Sequence, residues 1–232
     1  MAGNSPVLLI LGSGPNIGTA VGKAFADKGY RVAFASRRAD SEKSTAEEVH
    51  MKVDLAVPTS IAEVFSKVKE ALGIPSVVVY NASGGTMDNP QKSLGVPLDA
   101  FMNNLNLNVN SVYAAMQSAL EGFAELDSCA SKTFIMTGNA LNKAVFPPML
   151  SLGVGKTAAA HLIEYAAKSY AITGYKFYYA DQRDEDGSPA WFGIDGEAHA
   201  KYYLKLAEGK SQGIWDQTFT PQEGYKVFSR YI

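Results

Sequence analysis

Short apolar runs alternate along the chain with segments in which apolar residues recur at helical spacing. The apolar runs predict strands at residues 6–12, 30–36, 48–55, 75–82, 132–138 and 175–181, of which 48–55 is the weakest. The segments between them predict helices at 17–29 and 59–73, one long or two consecutive helices over 97–126, and a helix at 152–172. Strands that are apolar on both faces and separated by helices are typical of a parallel sheet with helices on both sides. The predicted fold class is therefore an α/β fold with a doubly wound parallel sheet and right-handed crossovers.

The pattern changes at the C-terminal end of the last of these strands. Residues 182–197 are polar and rich in turn-forming residues, 198–209 has helical spacing, and a further apolar strand is predicted near 215–220. No internal repeat and no low-complexity linker interrupts the chain. We therefore expect a single domain over residues 1–232, with a C-terminal part that departs from the strand–helix pattern.

Composition and charge exclude several classes of protein. The chain has 232 residues, of which 47% are hydrophobic, enough to bury the core of one large domain. Its formal net charge is -2, and no basic run or cationic amphipathic stretch indicates nucleic acid or a membrane surface. The first residues, MAGNSP, lack the features of a secretion signal, and the single cysteine, Cys129, suits a reducing compartment. We expect a cytoplasmic protein without a metal site, because no set of His, Cys and carboxylates has metal-ligand spacing.

The stretch LSLGVGKTAAAH, residues 150–161, resembles the end of a P-loop around Lys156. A P-loop has a further glycine five residues before Gly155, and that position is Leu150. A buried strand must also lead into such a loop, whereas the preceding residues include two adjacent prolines, which a central strand does not tolerate. Lys156 therefore needs another explanation.

A glycine-rich turn follows the first predicted strand, in the sequence LGSGPNIG. Gly12, Gly14 and Gly18 stand where the chain turns sharply into a helix, and backbone amides at such a turn can approach a phosphate at the helix N-terminus. A loop that follows a strand and opens a helix is typical of Rossmann-like dinucleotide binding. A purely structural turn is the alternative.

The end of the second predicted strand indicates which dinucleotide is bound. NAD-binding sheets usually carry an acidic residue there, which binds the ribose 2′-hydroxyl. Here the strand ends in Ser36-Arg37-Arg38, and two guanidiniums and a hydroxyl suit a 2′-phosphate. A hydrogen bond to a charged group contributes about 1.5–3 kcal/mol, so we expect NADPH to be preferred over NADH by about tenfold or more. A solvated basic turn is the alternative interpretation.

These features together resemble the short-chain dehydrogenase/reductase family over about residues 6–182. The family's glycine signature TGxxxGxG reads LGSGPNIG, with Asn16 in place of the middle glycine, and asparagine tolerates a left-handed backbone. The family's aspartate matches Asp54, its Asn-Ala-Gly motif matches residues 81–83, and its helix asparagine matches Asn108. The resemblance implies NADP(H) binding by Gly12, Ser13, Asn16, Ile17, Gly18, Ser36, Arg37, Arg38, Asp54, Leu55, Asn81, Ala82, Ser83 and Lys156.

The catalytic half departs from the family pattern. Family members carry a Tyr-x-x-x-Lys pair one helical turn apart, in which the lysine holds the ribose and the tyrosine transfers a proton. Lys156 matches the lysine, but Leu152 stands at the tyrosine position and Asn139 at the position of the family's serine. The family's Pro-Gly after the 175–181 strand is also missing. The cofactor half thus matches the family, whereas the proton donor does not.

Several residues are candidates for the altered site. Asn139 can bind a substrate carbonyl but cannot act as a general acid. Asp181 ends a strand at the carboxyl edge of the sheet, where it could donate a proton if its pKa were raised. The catalytic candidates are Lys156, Asn139, Asn108 and Asp181. Less favoured are Asn142, Lys143, Tyr178 and Tyr179, for which loop or packing roles are the alternatives.

The sequence leaves three functions open. The leading one is an NADPH-dependent oxidoreductase with a non-standard proton donor that reduces a C=N or C=O group of a small molecule. The others are a non-redox cyclase or isomerase and an NADP(H)-binding sensor. The resemblance implies a homodimer or homotetramer paired through the helices at about 100–126 and 152–172. It also implies that residues 182–215 form a variable cover over the substrate.

Overall fold

The computed structural model describes residues 5–89 and 91–228, so residues 1–4, 90 and 229–232 of the expected domain 1–232 lie outside the described part. The described strands are β1 (Val7–Leu11), β2 (Arg31–Ser36), β3 (Glu48–Lys52), β4 (Pro75–Tyr80), β5 (Lys132–Thr137), β6 (Tyr175–Gln182), β7 (Asp216–Thr220) and β8 (Gly224–Tyr225). They form one sheet in the order β3-β2-β1-β4-β5-β6-β7-β8. All neighbouring strands are parallel except the pair β7–β8. The predicted doubly wound α/β fold is confirmed.

Helices cover both faces of the sheet. The α-helices are α1 (Ile17–Ala26), α2 (Ile61–Ala71), α3 (Leu98–Leu105), α4 (Ser111–Glu125), α5 (Leu150–Ser169) and α6 (Gly196–Glu208). Apolar side chains of α2, α4 and α5 pack on one face of the sheet, and those of α1 and α6 pack on the other. Because the central strands are thus buried on both sides, β1 and β4 appear in the sequence as continuous apolar runs, whereas the edge strand β3 is only partly buried.

The helical region predicted over 97–126 contains two helices. A π-helical turn, Asn106–Asn110, joins α3 to α4. Such a turn admits one extra residue, and it contains Asn108, which is buried and contacts Gly84 in the loop after β4. Spacing rules based on 3.6 residues per turn do not reveal this interruption.

The segment 182–215, expected to cover the substrate, divides into two parts. Residues 184–195 are irregular, and α6 follows with one face buried against α1. Tyr203 is fully buried in α6, and its hydroxyl lies 2.8 Å from Oγ1 of Thr137. The helical part of the segment therefore belongs to the core, and a cover over the substrate stays a prediction for the irregular part.

Within residues 5–89 and 91–228, every helix is too short or too polar to span a membrane.

Candidate functional site

A cavity of about 960 Å³ lies at the carboxyl ends of the central strands. It opens where β1 lies between β2 and β4, the point at which the strand order changes direction. Ligands of open α/β sheets bind at this point because the loops that follow the two neighbouring strands diverge to opposite faces. The cavity is lined by the glycine loop, the ends of β2 and β3, the loop after β4 and one face of α3.

The glycine loop is held close to the loop after β4. Gly12 has φ 93°, and a Cβ added to it would lie 2.3 Å from the backbone nitrogen of Ala82. The side-chain amide of Asn81 donates to the carbonyl oxygen of Gly12 over 2.9 Å. Gly14 has open space where its Cβ would project, and it lines the cavity. Gly12 must therefore be glycine to close the turn, whereas the open space above Gly14 is part of the cavity.

The far wall of the cavity is formed by the ends of β2 and β3. Ser36, Arg37 and Arg38 line this wall, and both arginine side chains are exposed. Asp54 and Leu55 line the same region, with Asp54 accepting a hydrogen bond from the backbone of Ala56 over 3.0 Å. The cavity therefore brings together the two groups of residues that the sequence assigned to a dinucleotide.

Asn16 is directed away from this cavity. Its side-chain amide donates to the carbonyl oxygen of Ile194 over 2.8 Å, and a Cβ on Gly196 would lie 2.5 Å from its Oδ1. Gln182 holds the same segment from the end of β6, donating to Gly193 O over 2.9 Å and accepting from the backbone of Asp195 over 2.8 Å. Asn16 thus connects the glycine loop to the irregular segment 184–195.

A buried amide network borders the inner end of the cavity. Asn108 is fully buried, and its Nδ2 donates to Gly84 O over 2.6 Å and to Asn104 O over 2.8 Å. Asn104 lines the cavity and donates to Thr86 Oγ1 over 3.0 Å and to Ser151 Oγ over 3.1 Å. The network fixes α3, the start of α5 and the loop after β4 relative to one another.

Lys156 lies in the protein interior at the carboxyl end of β5. Its side chain is buried, and Nζ donates to Thr137 O over 2.8 Å. Burial lowers the pKa of Lys156 to about 8, and the nearby Asp181 partly opposes that shift. Lys156 therefore carries its charge in a poorly solvated position.

Asp181 lies near Lys156 and pairs with Arg183. The Arg183 Nε donates to Asp181 Oδ2 over 2.6 Å, and both side chains are almost completely buried. Burial raises the pKa of Asp181 to about 6, although Arg183 and Lys156 both oppose that rise. This carboxyl group can therefore hold a proton closer to neutral pH than an ordinary aspartate can.

Asn139 caps a short turn after β5. Its Oδ1 accepts from the backbone of Leu141 over 3.1 Å. The hydroxyl of Tyr179 donates to Asn139 O over 2.9 Å and accepts from Asn139 N over 3.1 Å. Burial holds the pKa of the Tyr179 phenol well above its ordinary value, so this tyrosine stays protonated. Asn139 and Tyr179 thus stabilise the backbone at the end of β5.

The predicted residues fall into two groups. Those that line the cavity are Gly12, Ser13, Ser36, Arg37, Arg38, Asp54, Leu55, Asn81, Ala82 and Ser83. Those outside its lining are Asn16, Ile17, Gly18, Asn108, Asn139, Lys156 and Asp181. Gly18 instead lies against the loop, where a Cβ would be 2.8 Å from Ser13 Cα. Ten of the fourteen predicted cofactor residues thus line one cavity, whereas the catalytic candidates do not line it.

Sequence reasoning missed several lining residues, namely Lys23, Phe34, Lys43, His50, Asn103, Asn104 and Leu107. For Asn104 a signal was present, since it precedes Asn108 by four residues and one helical turn brings both to the same face. The others come from elements whose approach to the cavity depends on tertiary packing.

Comparisons with known proteins identify the family. The model of a family described as enoyl-(acyl carrier protein) reductase matches residues 12–178. The short chain dehydrogenase/reductase dmxR12 of Cryptosporiopsis sp. (strain 8999) is 44% identical over 236 residues, which cover 97% of this chain and 96% of that protein.

Solved structures share the fold at lower identity. The structure described as ElxO with NADP bound has a TM-score of 0.76 and 19% identity, covering 94% of this chain and 98% of that chain. An alcohol dehydrogenase from the archaeon Thermococcus sibiricus, complexed with 5-hydroxy-NADP, has a TM-score of 0.75 and 18% identity, covering 96% and 99%. From the matched family model, the whole-length relative and the shared sheet topology, we conclude that this chain belongs to the short-chain dehydrogenase/reductase family.

Proposed function

We propose that the protein is an NADPH-dependent oxidoreductase that reduces a C=N or C=O group of a small molecule with a non-standard proton donor. The observation that carries the proposal is that the glycine loop and Ser36-Arg37-Arg38 line the same cavity. Membership of the family supports oxidoreductase activity. The NADP named with ElxO and the 5-hydroxy-NADP named with the Thermococcus sibiricus enzyme support the choice of cofactor.

The residues around the cavity fit such a dinucleotide. Gly14 leaves open space above the loop, and the N-terminus of α1 follows, which favours a negatively charged phosphate. Arg37 and Arg38 would bind the 2′-phosphate, while Asp54 and Leu55 would face the adenine. Arginine suits this role because its planar guanidinium donates two parallel hydrogen bonds to a phosphate. The inner end of the cavity, beside Asn81 and residues 82–84, would take the nicotinamide half.

When bound, NADPH would supply the hydride. The chain's own residues would bind and orient the substrate and manage one proton. Leu152 stands where the family has its tyrosine, so we propose that this chain lacks the usual donor. Asn139 cannot replace it, because a side-chain amide does not act as a general acid.

Asp181 is our candidate for the replacement donor. Its pKa of about 6 supports this role, since a general acid works best when its pKa lies near the working pH. Lys156 and Arg183 surround the carboxyl group and would stabilise the carboxylate after the proton has left.

A protonated imine would not need this donor at all, because it already carries its proton and becomes an amine on accepting hydride. We therefore favour a C=N substrate over a ketone.

One observation favours the non-redox alternative. Lys156 is bound to Thr137 O in the interior and is absent from the cavity lining, although the family's lysine holds the cofactor ribose. A cyclase or isomerase that uses the cavity for shape and orientation alone would have no need of an exposed lysine. Replacing Lys156 by Met separates the two functions, because it should abolish hydride transfer but leave such a cyclisation unchanged.

We also propose that the protein forms a homodimer or homotetramer through α4 and α5. Both helices present large exposed apolar side chains, Tyr113 on α4 and Val154 and Tyr165 on α5. Light scattering after size-exclusion chromatography tests this, and replacing Tyr165 by Lys should shift the protein towards monomer.

The first experiment is a fluorescence titration with NADPH and NADH. The wild type should bind NADPH at least about tenfold more tightly, because the arginines bind the 2′-phosphate. The double variant Arg37→Met/Arg38→Met should lose that preference while its affinity for NADH is unchanged. The matched control Lys201→Met/Lys210→Met removes the same charge from exposed positions outside the cavity lining and should behave as wild type. Equal or absent binding of both dinucleotides by the wild type would refute the cofactor assignment.

Turnover is tested with paired substrates. Cyclic imines and their ketone counterparts are incubated with NADPH, and its oxidation is followed by absorbance. We expect faster reduction of the imines. Asp181→Asn should abolish ketone reduction more completely than imine reduction, because only the ketone needs a proton from the protein. Equal losses on the two substrate classes would show that Asp181 is not the donor.

A further inference from the structure

The connection between β2 and β3 lacks a helix. The two strands are parallel, and residues 37–47 join them with only a short 3₁₀ turn, Ser41–Lys43. Parallel strands need a crossover of about a dozen or more residues, which is usually an α-helix. The crossover must be right-handed, so a helix here would lie beside α1 on the same face of the sheet. That position is open in this chain.

The cavity extends into the open position. Beyond the glycine loop it is lined by Phe34 of β2 and His50 of β3, whose rings stack with centroids 5.0 Å apart. Lys43, at the end of the 3₁₀ turn, and Asp40, at its start, line the same part of the cavity. A crossover helix would fill this volume with its own side chains. The short turn instead brings two charged residues to the cavity wall.

The positive charges along this wall are available to a ligand. Among residues 5–89 and 91–228, Arg37, Arg38 and Lys43 take part in no ion pair and donate no side-chain hydrogen bond. The facing carboxylates already have donors. Asp40 accepts from the backbone of Glu42 over 3.2 Å, and Glu48 is paired with His50 Nε2 at 2.6 Å.

The charges around the cavity also suit a phosphate monoester. The lining carries four cations and three carboxylates, a net charge of +1; they are Lys23, Arg37, Arg38 and Lys43, and Asp40, Glu48 and Asp54. A phosphate monoester carries about -1.5 to -2 at pH 7. Without Lys43 the same lining would be neutral.

We infer that Lys43, on the helix-less crossover, is a third cation for the cofactor's 2′-phosphate and determines the preference for NADPH together with the arginine pair. This inference rests on the proposed cofactor. The short turn would contribute to specificity because it places Lys43 in the lining of the same cavity as Arg37 and Arg38.

Calorimetric titration with 2′,5′-ADP and 5′-AMP tests the inference, since these probes differ only in the 2′-phosphate. Lys43→Met should weaken binding of 2′,5′-ADP by about fivefold, the upper range for an exposed ion pair, and leave 5′-AMP unchanged. The loss should shrink at high salt, because exposed charges are screened. Lys43→Arg should retain the affinity. Lys201→Met, which removes the same charge outside the cavity lining, should bind both probes as the wild type does.

The outcomes distinguish a failure of the role proposed for Lys43 from a failure of the proposed cofactor. If wild-type protein prefers 2′,5′-ADP and Lys43→Met keeps that preference in full, the role of Lys43 is refuted while the proposed cofactor stands. If Lys43→Met weakens both probes equally, the residue acts on the fold rather than on the phosphate, and the inference again fails. If the wild type does not distinguish the probes, the NADPH assignment falls and Lys43 with it.

Discussion

Burial of Lys156 predicts a measurable pH dependence of stability. Its pKa falls from the ordinary value of 10.5 to about 8, mainly because the folded protein deprives the ammonium of water. Between these two values the unfolded chain binds more protons than the folded protein does. Stability therefore rises with pH through this window. The difference of about 2.5 pH units corresponds to about 3 kcal/mol in the free energy of unfolding.

The variant Lys156→Met isolates this contribution. Methionine has a similar length and no charge, so the variant lacks the proton equilibrium. The free energy of unfolding of the wild type minus that of the variant should grow by about 2.5 kcal/mol between about pH 7 and about pH 10. Urea unfolding followed by circular dichroism at several pH values measures it. Contributions from every other titrating group that the substitution leaves undisturbed cancel in the difference.

A matched variant controls for loss of a lysine. Lys201 is exposed on α6, so Lys201→Met should show the same pH dependence as wild type. A difference between wild type and Lys156→Met that stays constant from about pH 7 to about pH 10 would refute the reasoning. It would mean that Lys156 is solvated in solution, which would in turn favour an ammonium facing the cofactor.

Three further predictions concern the contacts around the site. Asn16→Ala removes the hydrogen bond to Ile194 O, so we expect a loss of about 1 kcal/mol in urea unfolding and faster protease cleavage within 184–195. Gly155→Ala brings a Cβ to 2.6 Å from Asn108 Cβ, and the overpacking should cost about 1–3 kcal/mol, measured as a lower Tm. Asp181→Asn removes a group whose raised pKa favours the protonated form in the folded state. Wild type should therefore gain stability relative to the variant as pH falls from about 7 to about 4, by about 2 kcal/mol in acid-range urea unfolding.

Much of the fold could be predicted because its signals are local. A strand buried on both faces must be apolar throughout, so β1 and β4 are visible as the runs VLLIL and PSVVVY. The bounds of α1 and α5 differ from the predicted ones by up to a turn, since helix ends depend on contacts beyond the helix itself. The short strand β8 was missed, because two residues carry no periodicity.

Part of the site could be predicted for the same reason. Gly12 must be glycine to approach Ala82, and this requirement is visible in the sequence as a glycine at the end of a strand. Arg37 and Arg38 follow β2 directly, so their place at the sheet edge follows from strand direction alone. The hydrogen bond between Asn16 and Ile194 could not be predicted in this way, because a contact between residues 178 positions apart leaves no periodic signal in the sequence.

The sequence by itself determined the strand and helix order, the glycine loop and the basic end of β2, because neighbouring residues and strand direction are sufficient for each. Only the tertiary structure decided where the catalytic candidates lie. Lys156 and Asp181 come from different elements, and their proximity, burial and altered pKa values arise when α5 packs on β6. A charge loses its water only when distant parts of the chain surround it, and for that reason the local sequence does not specify its chemistry.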